Sequence, residues 1–460
     1  MNDAVVSGAC DERFAAVREE FERNFSGRNE LGASVCVIVD GKPVVDLWGG
    51  VADHVSGRPW ERDTMNVVMS CSKGLTAMCA HILIDRGELD PDAPITRYWP
   101  EFGQAGKAGI PVRMAMNHSS GVAHVSERVP PGGFADYELM VRLVTRTRPF
   151  WEPGTRVGYH AMTIGWMVGE LVRRISGKTV GEFFQTEVAA PLGLTDCFIG
   201  LPDSEEHRVA RTVPFALPEP EMPAFAEKLM DPTRRPFKAL SRAAAASPAI
   251  QRRVAKMLAA NIDVSEVPPS LMAGLSRLDP LLFSLLGNMG DWFPEAFDTP
   301  RAHAAEIPAA GAIGNGRGLA GAYAPLSLGG AIDGVRIVSE EAIARMRVAQ
   351  SVTDFDAVSG LRSSYTLGFS KSWPNPEVTD SSVFIGEDAF GTPGLGGQLG
   401  FADPSWRLAF GYTMTRHGIG TALNDRGQSL VDATYRALGS SDRDVGFWRR
   451  PADTRLDSTG

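Results

Sequence analysis

The sequence predicts an α/β plus α protein: an antiparallel sheet flanked by helices, with a mainly helical domain inserted into it. Three observations predict this class. Two β-rich runs, 33–39 and 43–48, are joined by Asp40-Gly41, a dipeptide favoured in two-residue hairpin turns. Strand-like patterning returns only after Ile307, and the chain between reads as helices and loops. Strands at both ends with helices between imply one discontinuous α/β domain, 1–88 with 306–460, and a helical domain over 89–305.

Each element follows from local pattern. From Asp11 to Asn24, Phe14, Val17 and Phe21 fall at helical spacing among charges, which predicts an amphipathic helix ahead of the hairpin. A second helix is expected from Ser70 through Leu75, Met78, Cys79, Ile82 and Leu83, stopping at Gly87, a natural C-terminal cap. From Pro91 to about Pro202 the pattern is helical and loop-rich. Its clearest helix is Thr163 to Ser176, with Trp166, Met167, Leu171 and Val172. The stretch 205–305 is rich in Pro, Ala and Met and holds the apolar patch Leu281-Leu282-Phe283-Ser284-Leu285-Leu286. It reads as an irregular insertion of short helices and loops roofing a site. Strands are then expected at Ser364 to Phe369, Leu399 to Ala402 and Trp406 to Met414, before a final helix Gln428 to Leu438.

Composition narrows the function classes. With 460 residues, 43% hydrophobic and 22% charged, the chain has the make-up of a globular protein large enough for two domains. A net charge of −9 without a basic block argues against a nucleic-acid partner. Five cysteines, an odd number without Cys-x-x-Cys spacing, suit free thiols in a reducing compartment. The first residues lack a basic segment followed by an apolar one, and no apolar run reaches membrane-spanning length, so a cytoplasmic location away from membranes is expected. The oligomeric state is left open.

Several cofactor and hydrolase signatures are missing or weak. Gly316-Arg317-Gly318-Leu319-Ala320-Gly321 matches a dinucleotide fingerprint in form, but no β-rich run precedes it. Gly177-Lys178-Thr179 lacks the upstream glycine of a phosphate loop, Val172 standing there instead. Metal-ligand spacing is absent, as is the Gly-x-Ser-x-Gly elbow. No metal and no organic cofactor is expected.

The feature that points to chemistry is Ser70-Cys71-Ser72-Lys73. Residues three apart share a helix face, so a helix opening at Ser70 sets a hydroxyl beside an ammonium at its N-terminus. The unpaired N–H groups and positive dipole end there favour an alkoxide over a hydroxyl and an amine over an ammonium, as an acyl-transfer nucleophile requires. The plain alternative is a serine N-cap and a solvated lysine.

What accompanies this step gives it weight. Trp151-Glu152-Pro153-Gly154 leads to Tyr159-His160-Ala161, and Phe390-Gly391-Thr392-Pro393-Gly394-Leu395-Gly396-Gly397 follows far downstream. Asn117-His118-Ser119-Ser120-Gly121 and Asp46-Leu47-Trp48-Gly49-Gly50 support them. In this order the blocks resemble the serine β-lactamase and penicillin-binding-protein superfamily, most closely class C β-lactamases and the related family VIII carboxylesterases. The likeness covers about 30–200 and 306–440 and implies a β-lactamase-like (DD-peptidase) fold.

The resemblance implies that Ser70 is acylated, that Lys73 is its proton partner, and that Tyr159 is the general base, held at or near phenolate by Lys73. It puts the oxyanion between the N–H groups of Ser70 and Leu395. Trp151, Phe390, Thr392 and Gly394 are candidate substrate contacts. His160 is read as structural and Cys71 as core. Two positions depart from the family: Ala161 replaces the Asn of Tyr-x-Asn, and Thr392 replaces the Lys of Lys-Thr-Gly. In β-lactamases these are thought to meet the drug's amide and carboxylate, so their loss favours a small-molecule ester, short in its acyl chain, over a lactam. Amide hydrolysis, acyl transfer and a non-catalytic scaffold are the competing readings.

Overall fold

The fold is organised around the hairpin that the sequence announces. In the computed structural model, which describes residues 5–213, 294–375, 382–418, 422–440 and 446–449, β2 (Gly32–Val39) turns through Asp40 and Gly41 into β3 (Lys42–Asp53). Asp40 and Gly41 have φ of +50° and +77°, the left-handed pair that matches the twist of adjoining strands. β1 (Val6–Cys10) adds to the outer edge of β3, pairing Val6 with Gly49 and Cys10 with Val45. Nothing in the local pattern announces β1: Val-Ser-Gly-Ala-Cys has no apolar alternation, and none of its five residues is fully buried.

On the other side of β2 the chain's far end completes the sheet. Two short strands, β4 (Ser351–Thr353) and β5 (Ser363–Tyr365), pair with each other near the site. Then β6 (Phe390–Gly394), β7 (Gln398–Asp403) and β8 (Leu408–Met414) run antiparallel, and β8 pairs with β2 from Leu408↔Val39 to Met414↔Ala33. The sheet order is β1-β3-β2-β8-β7-β6, with Arg58–Pro59 paired to β3 off this path. β6 is therefore an edge strand.

Helices cover both faces. On one, α1 (Ala15–Gly27) lies beside the last helix, Asp425–Ala437, over Val35, Val37, Leu47, Phe401, Phe410 and Tyr412. On the other, α2 (Cys71–Asp85) and the helix Gly316–Ser327 pack against Cys36, Ile38, Phe390 and Ala402. Alternate residues of β2 thus serve two cores. α2 is buried on every side because α3 (Tyr137–Arg146) and α4 (Thr163–Ser176) build the helical part of the molecule against it. The bounds of α4 coincide with the sequence expectation. Gly316 comes so near the sheet that a Cβ there would lie 2.9 Å from the Gly411 and Ser34 carbonyls. The glycines that mimic a dinucleotide fingerprint include this close helix-to-sheet contact.

Some expectations are corrected. The strand expected at Ser364 to Phe369 is only β5, because the chain turns at Gly368 (φ +88°) to bond Met116. β8 starts at Leu408 rather than Trp406, after a turn with Arg407 at φ +50°. The last helix starts at Asp425, where the Asn424 side chain accepts the Arg426 and Gly427 N–H groups. The apolar patch 281–286 lies outside the described residues, as does most of the insertion. The five cysteines are free thiols. Among the described residues no helix is long and apolar enough to cross a membrane.

A buried ion pair ties the last helix to the lead-in of β2 at the centre of the sheet. Arg426 donates to Glu30 at 3.0 Å with both side chains sealed from solvent, and the Tyr412 hydroxyl donates to the other carboxylate oxygen. Truncating Arg426 leaves Glu30 buried and unpaired, so Arg426→Ala is expected to lower unfolding stability by about 3–5 kcal/mol. Urea denaturation followed by fluorescence checks this; a loss under about 1 kcal/mol contradicts it.

Candidate active site

Ser70 occupies the corner between the sheet and α2. The residue before it, Met69, has φ +46°, a conformation costing about 1–2 kcal/mol for a side chain of this kind. That turn presents Ser70 as the N-cap residue of α2, yet its hydroxyl caps nothing. The hydroxyl is engaged instead by two other groups. Lys73 Nζ lies 2.9 Å from Ser70 Oγ, and the Tyr159 hydroxyl donates to the same atom at 2.9 Å. The plain N-cap reading fails here. Serine and tyrosine are partly exposed while the lysine is buried, so the cluster opens to solvent on the nucleophile's side.

Lys73 lies in the seam between α2 and the segment after Ile307. Its Nζ donates to the Ala309 carbonyl at 2.9 Å, the Thr76 hydroxyl donates to the Pro308 carbonyl, and Ser72 Oγ accepts the Ala312 N–H. Among the described residues no carboxylate pairs with Lys73. Burial therefore lowers its pKa to about 7. Burial acts the other way on Tyr159, raising the phenol well above its usual value. The same burial thus favours amine plus phenol over ammonium plus phenolate. The expected Tyr159 phenolate is corrected on this point: Lys73 is the stronger candidate proton acceptor.

Tyr159 is held on three sides. Its N–H donates to Asp356 Oδ1 at 2.9 Å, the Gly158 N–H to the His118 carbonyl, and the His160 N–H to His118 Nδ1. The Tyr365 ring stacks on it at 6.2 Å and 16°, and Lys73 Nζ lies 5.0 Å from its ring centre. His160 bridges Ser120 Oγ and the Gly158 carbonyl, and burial lowers its pKa to about 4. It therefore laces the 117–121 segment to the tyrosine loop, as the structural reading expected.

Opposite the tyrosine, the chain leaves β6 at Leu395. Neither the Ser70 nor the Leu395 N–H donates to a protein acceptor among the described residues, leaving both available to an oxyanion. Gly394 is buried against the segment that leads into Ser70: a Cβ there would sit 2.7 Å from the Val68 carbonyl and 3.3 Å from Cys71 Sγ.

Two candidate substrate contacts are corrected. Phe390 has no exposed surface, its ring packing edge-on to Phe369 at 5.1 Å. Thr392 is 3% exposed, and its hydroxyl meets that of Tyr323 where a Gly74 Cβ would fall, 2.8 and 2.0 Å away. Alternation along β6 turns both side chains into the core. Trp151 packs with Ala123, Phe150, Ala357 and Val358 and edge-on to His160 at 5.9 Å, behind the tyrosine loop. Cys71 is core, its thiol donating to the Thr392 carbonyl.

Comparison with known proteins places this arrangement. The Beta-lactamase family profile matches residues 19–433. The chain belongs to the beta-lactamase family. It is similar to Esterase/beta-lactamase LipL of Mycobacterium tuberculosis, 31% identical over 417 residues, covering 89% of this chain and 83% of that protein. Among solved structures it resembles a family VIII carboxylesterase, with TM-score 0.75, 32% identity and coverage of 94% and 100%. EstA from Arthrobacter nitroguajacolicus Rue61a superposes with TM-score 0.72, 27% identity and coverage of 94% and 98%.

The fold of this beta-lactamase-family chain brings Ser70, Lys73 and Tyr159 to one corner, while Leu395 stands just past the end of β6, packed against the core that also holds α2. Sequence reasoning missed Ala309, Asp356 and Tyr365. The first acts through its backbone carbonyl, which no residue type advertises. The others lie in and just after a loop some two hundred residues from Tyr159, with no local motif to mark them.

The lysine's protonation gives a direct prediction. Below pH about 7 Lys73 gains a proton and ceases to be an acceptor, so labelling of Ser70 by a neutral fluorophosphonate is expected to slow about tenfold per pH unit. Above that pH the rate levels off. A rate that stays flat from about pH 5 to 9 would rule out free Lys73 as the controlling group.

Proposed function

We propose that this protein is a serine hydrolase that cleaves carboxylic esters, short in the acyl chain, through an acyl-Ser70 intermediate. The observation that carries this reading is the convergence of Lys73 Nζ and the Tyr159 hydroxyl on Ser70 Oγ, each at 2.9 Å. Esterase names among its relatives support it.

The steps follow from the protonation states. Free Lys73 takes the proton as Ser70 Oγ bonds to the ester carbonyl carbon. The oxyanion is met by the N–H groups of Ser70 and Leu395. Collapse breaks the carbon–oxygen bond to the alcohol, which leaves with the proton of the Tyr159 hydroxyl. Lys73, now an ammonium beside the Tyr159 ring, returns a proton to the phenolate. Water then attacks the acyl carbon, its proton passing to Lys73, and Ser70 leaves with that proton, freeing the acid. No metal or organic cofactor takes part in this scheme.

Ester preference over β-lactams rests on Ala161 and Thr392. Neither offers an amide or a cation, and Thr392 is turned into the core. An anionic lactam would lose hydrogen bonds and a charge partner that a neutral ester does not need. A scaffold without chemistry would have no use for an unpaired buried lysine aimed at a serine.

Turnover of p-nitrophenyl acetate, butyrate and octanoate against nitrocefin tests the reading. Rapid acetate and butyrate cleavage is expected, with Ser70→Ala slower by at least about a thousandfold and nitrocefin poorly turned over. Ester cleavage that survives Ser70→Ala would overturn the assignment. Nitrocefin turnover matching that of the esters would move the protein to the lactam hydrolases.

A further inference from the structure

Asp356 is a buried carboxylate with no cation against it among the described residues. It lies in the turn between β4 and β5 and has no exposed surface. Its Oδ1 accepts three N–H groups at 2.9 Å each, from Val358, Ser359 and, across the fold, Tyr159. Its Oδ2 accepts the Ser363 hydroxyl at 3.1 Å and that of Tyr365 at 3.4 Å. The Ala357 N–H donates to the Val157 carbonyl, so the same turn grips the tyrosine segment twice. Burying a carboxylate without a counter-ion is costly, and hydrophobic packing alone does not call for one.

We propose that Asp356 is the positioning residue for Tyr159, fixing its backbone directly and its ring through Tyr365, so that the phenol reaches Ser70 Oγ. Two contacts make the link: the Asp356 bond to the Tyr159 N–H, and the Tyr365 ring stacked on the Tyr159 ring. The proposal rests on the catalytic reading of Tyr159 given above. The groups facing Tyr159 are Lys73, His118, Tyr365, Cys71 and Asp356. Burial raises the Asp356 pKa, while its hydrogen bonds from N–H groups favour the anion. As an anion, Asp356 opposes ionisation of Tyr159 and helps keep the proton that the leaving alcohol takes.

The test measures kcat and KM for p-nitrophenyl butyrate per fluorophosphonate-titrated site in the parent, Asp356→Ala and Asp356→Asn, with Ser70→Ala assayed per mole of protein as the control. A merely structural role would reduce the titratable fraction and leave kcat per site unchanged. Mispositioning of Tyr159 is expected to lower kcat per site at least about tenfold in Asp356→Ala, with KM within about threefold. Asp356→Asn keeps an acceptor for the three N–H groups and is expected to recover most of that loss. A fall in kcat per site of less than about fivefold in Asp356→Ala overturns the proposal, and a larger one supports it. Should Asp356→Ala fail to fold, Asp356→Asn decides. It keeps the acceptor but not its charge, so kcat per site is expected to fall about two- to threefold with KM unchanged, and a kcat per site equal to the parent's overturns the proposal. Ester cleavage that persists in Ser70→Ala would instead strike the catalytic reading itself.

Discussion

The candidate site depends on a lysine that is buried with no carboxylate against it among the described residues. Lys73 is held by the Ala309 carbonyl and Ser70 Oγ, and a carbonyl dipole stabilises an ammonium far less than an anion would. That choice of partner makes the amine available near neutrality. A carboxylate at the place of Ala309 would hold the proton and disable the acceptor. The backbone after Ile307 is therefore as much part of the site as the Ser-x-x-Lys step.

The architecture explains why this seam is dry. α2 is enclosed by the sheet, by the helix Gly316–Ser327 and by α4, so its first turn opens to solvent only at Ser70. The same enclosure drives Lys73 down and Tyr159 up in pKa. Burial thus favours a neutral amine beside a neutral phenol in the free protein. Around this pair runs a polar shell, His118, His160, Asp356 and Tyr365, that adds geometry to a site whose charges are already set.

Much of this was legible in the chain. Asp40-Gly41 announced the hairpin because few residues accept left-handed φ at adjacent positions. The apolar residues of Thr163 to Ser176 announced α4, whose first ten residues are all buried, as a helix enclosed by a core must be. β1 was not legible: an edge strand of small residues owes its place to the backbone of β3 rather than to side-chain pattern. Phe390 and Thr392 were misjudged because a motif position does not say which face of an edge strand a side chain takes. Pairing with β7 fixed that face.

By itself the sequence determined the class of fold and marked the serine with its two candidate partners, since spacing on one helix and the order of short blocks are local or one-dimensional properties. The tertiary structure alone set the direction in which burial moves each proton, because a pKa follows burial and neighbours that lie hundreds of residues apart. It also decided that Asp356, Tyr365 and the Ala309 carbonyl belong to the site. Their roles exist only where β5, α2 and the tyrosine loop meet, and no stretch of chain contains that meeting.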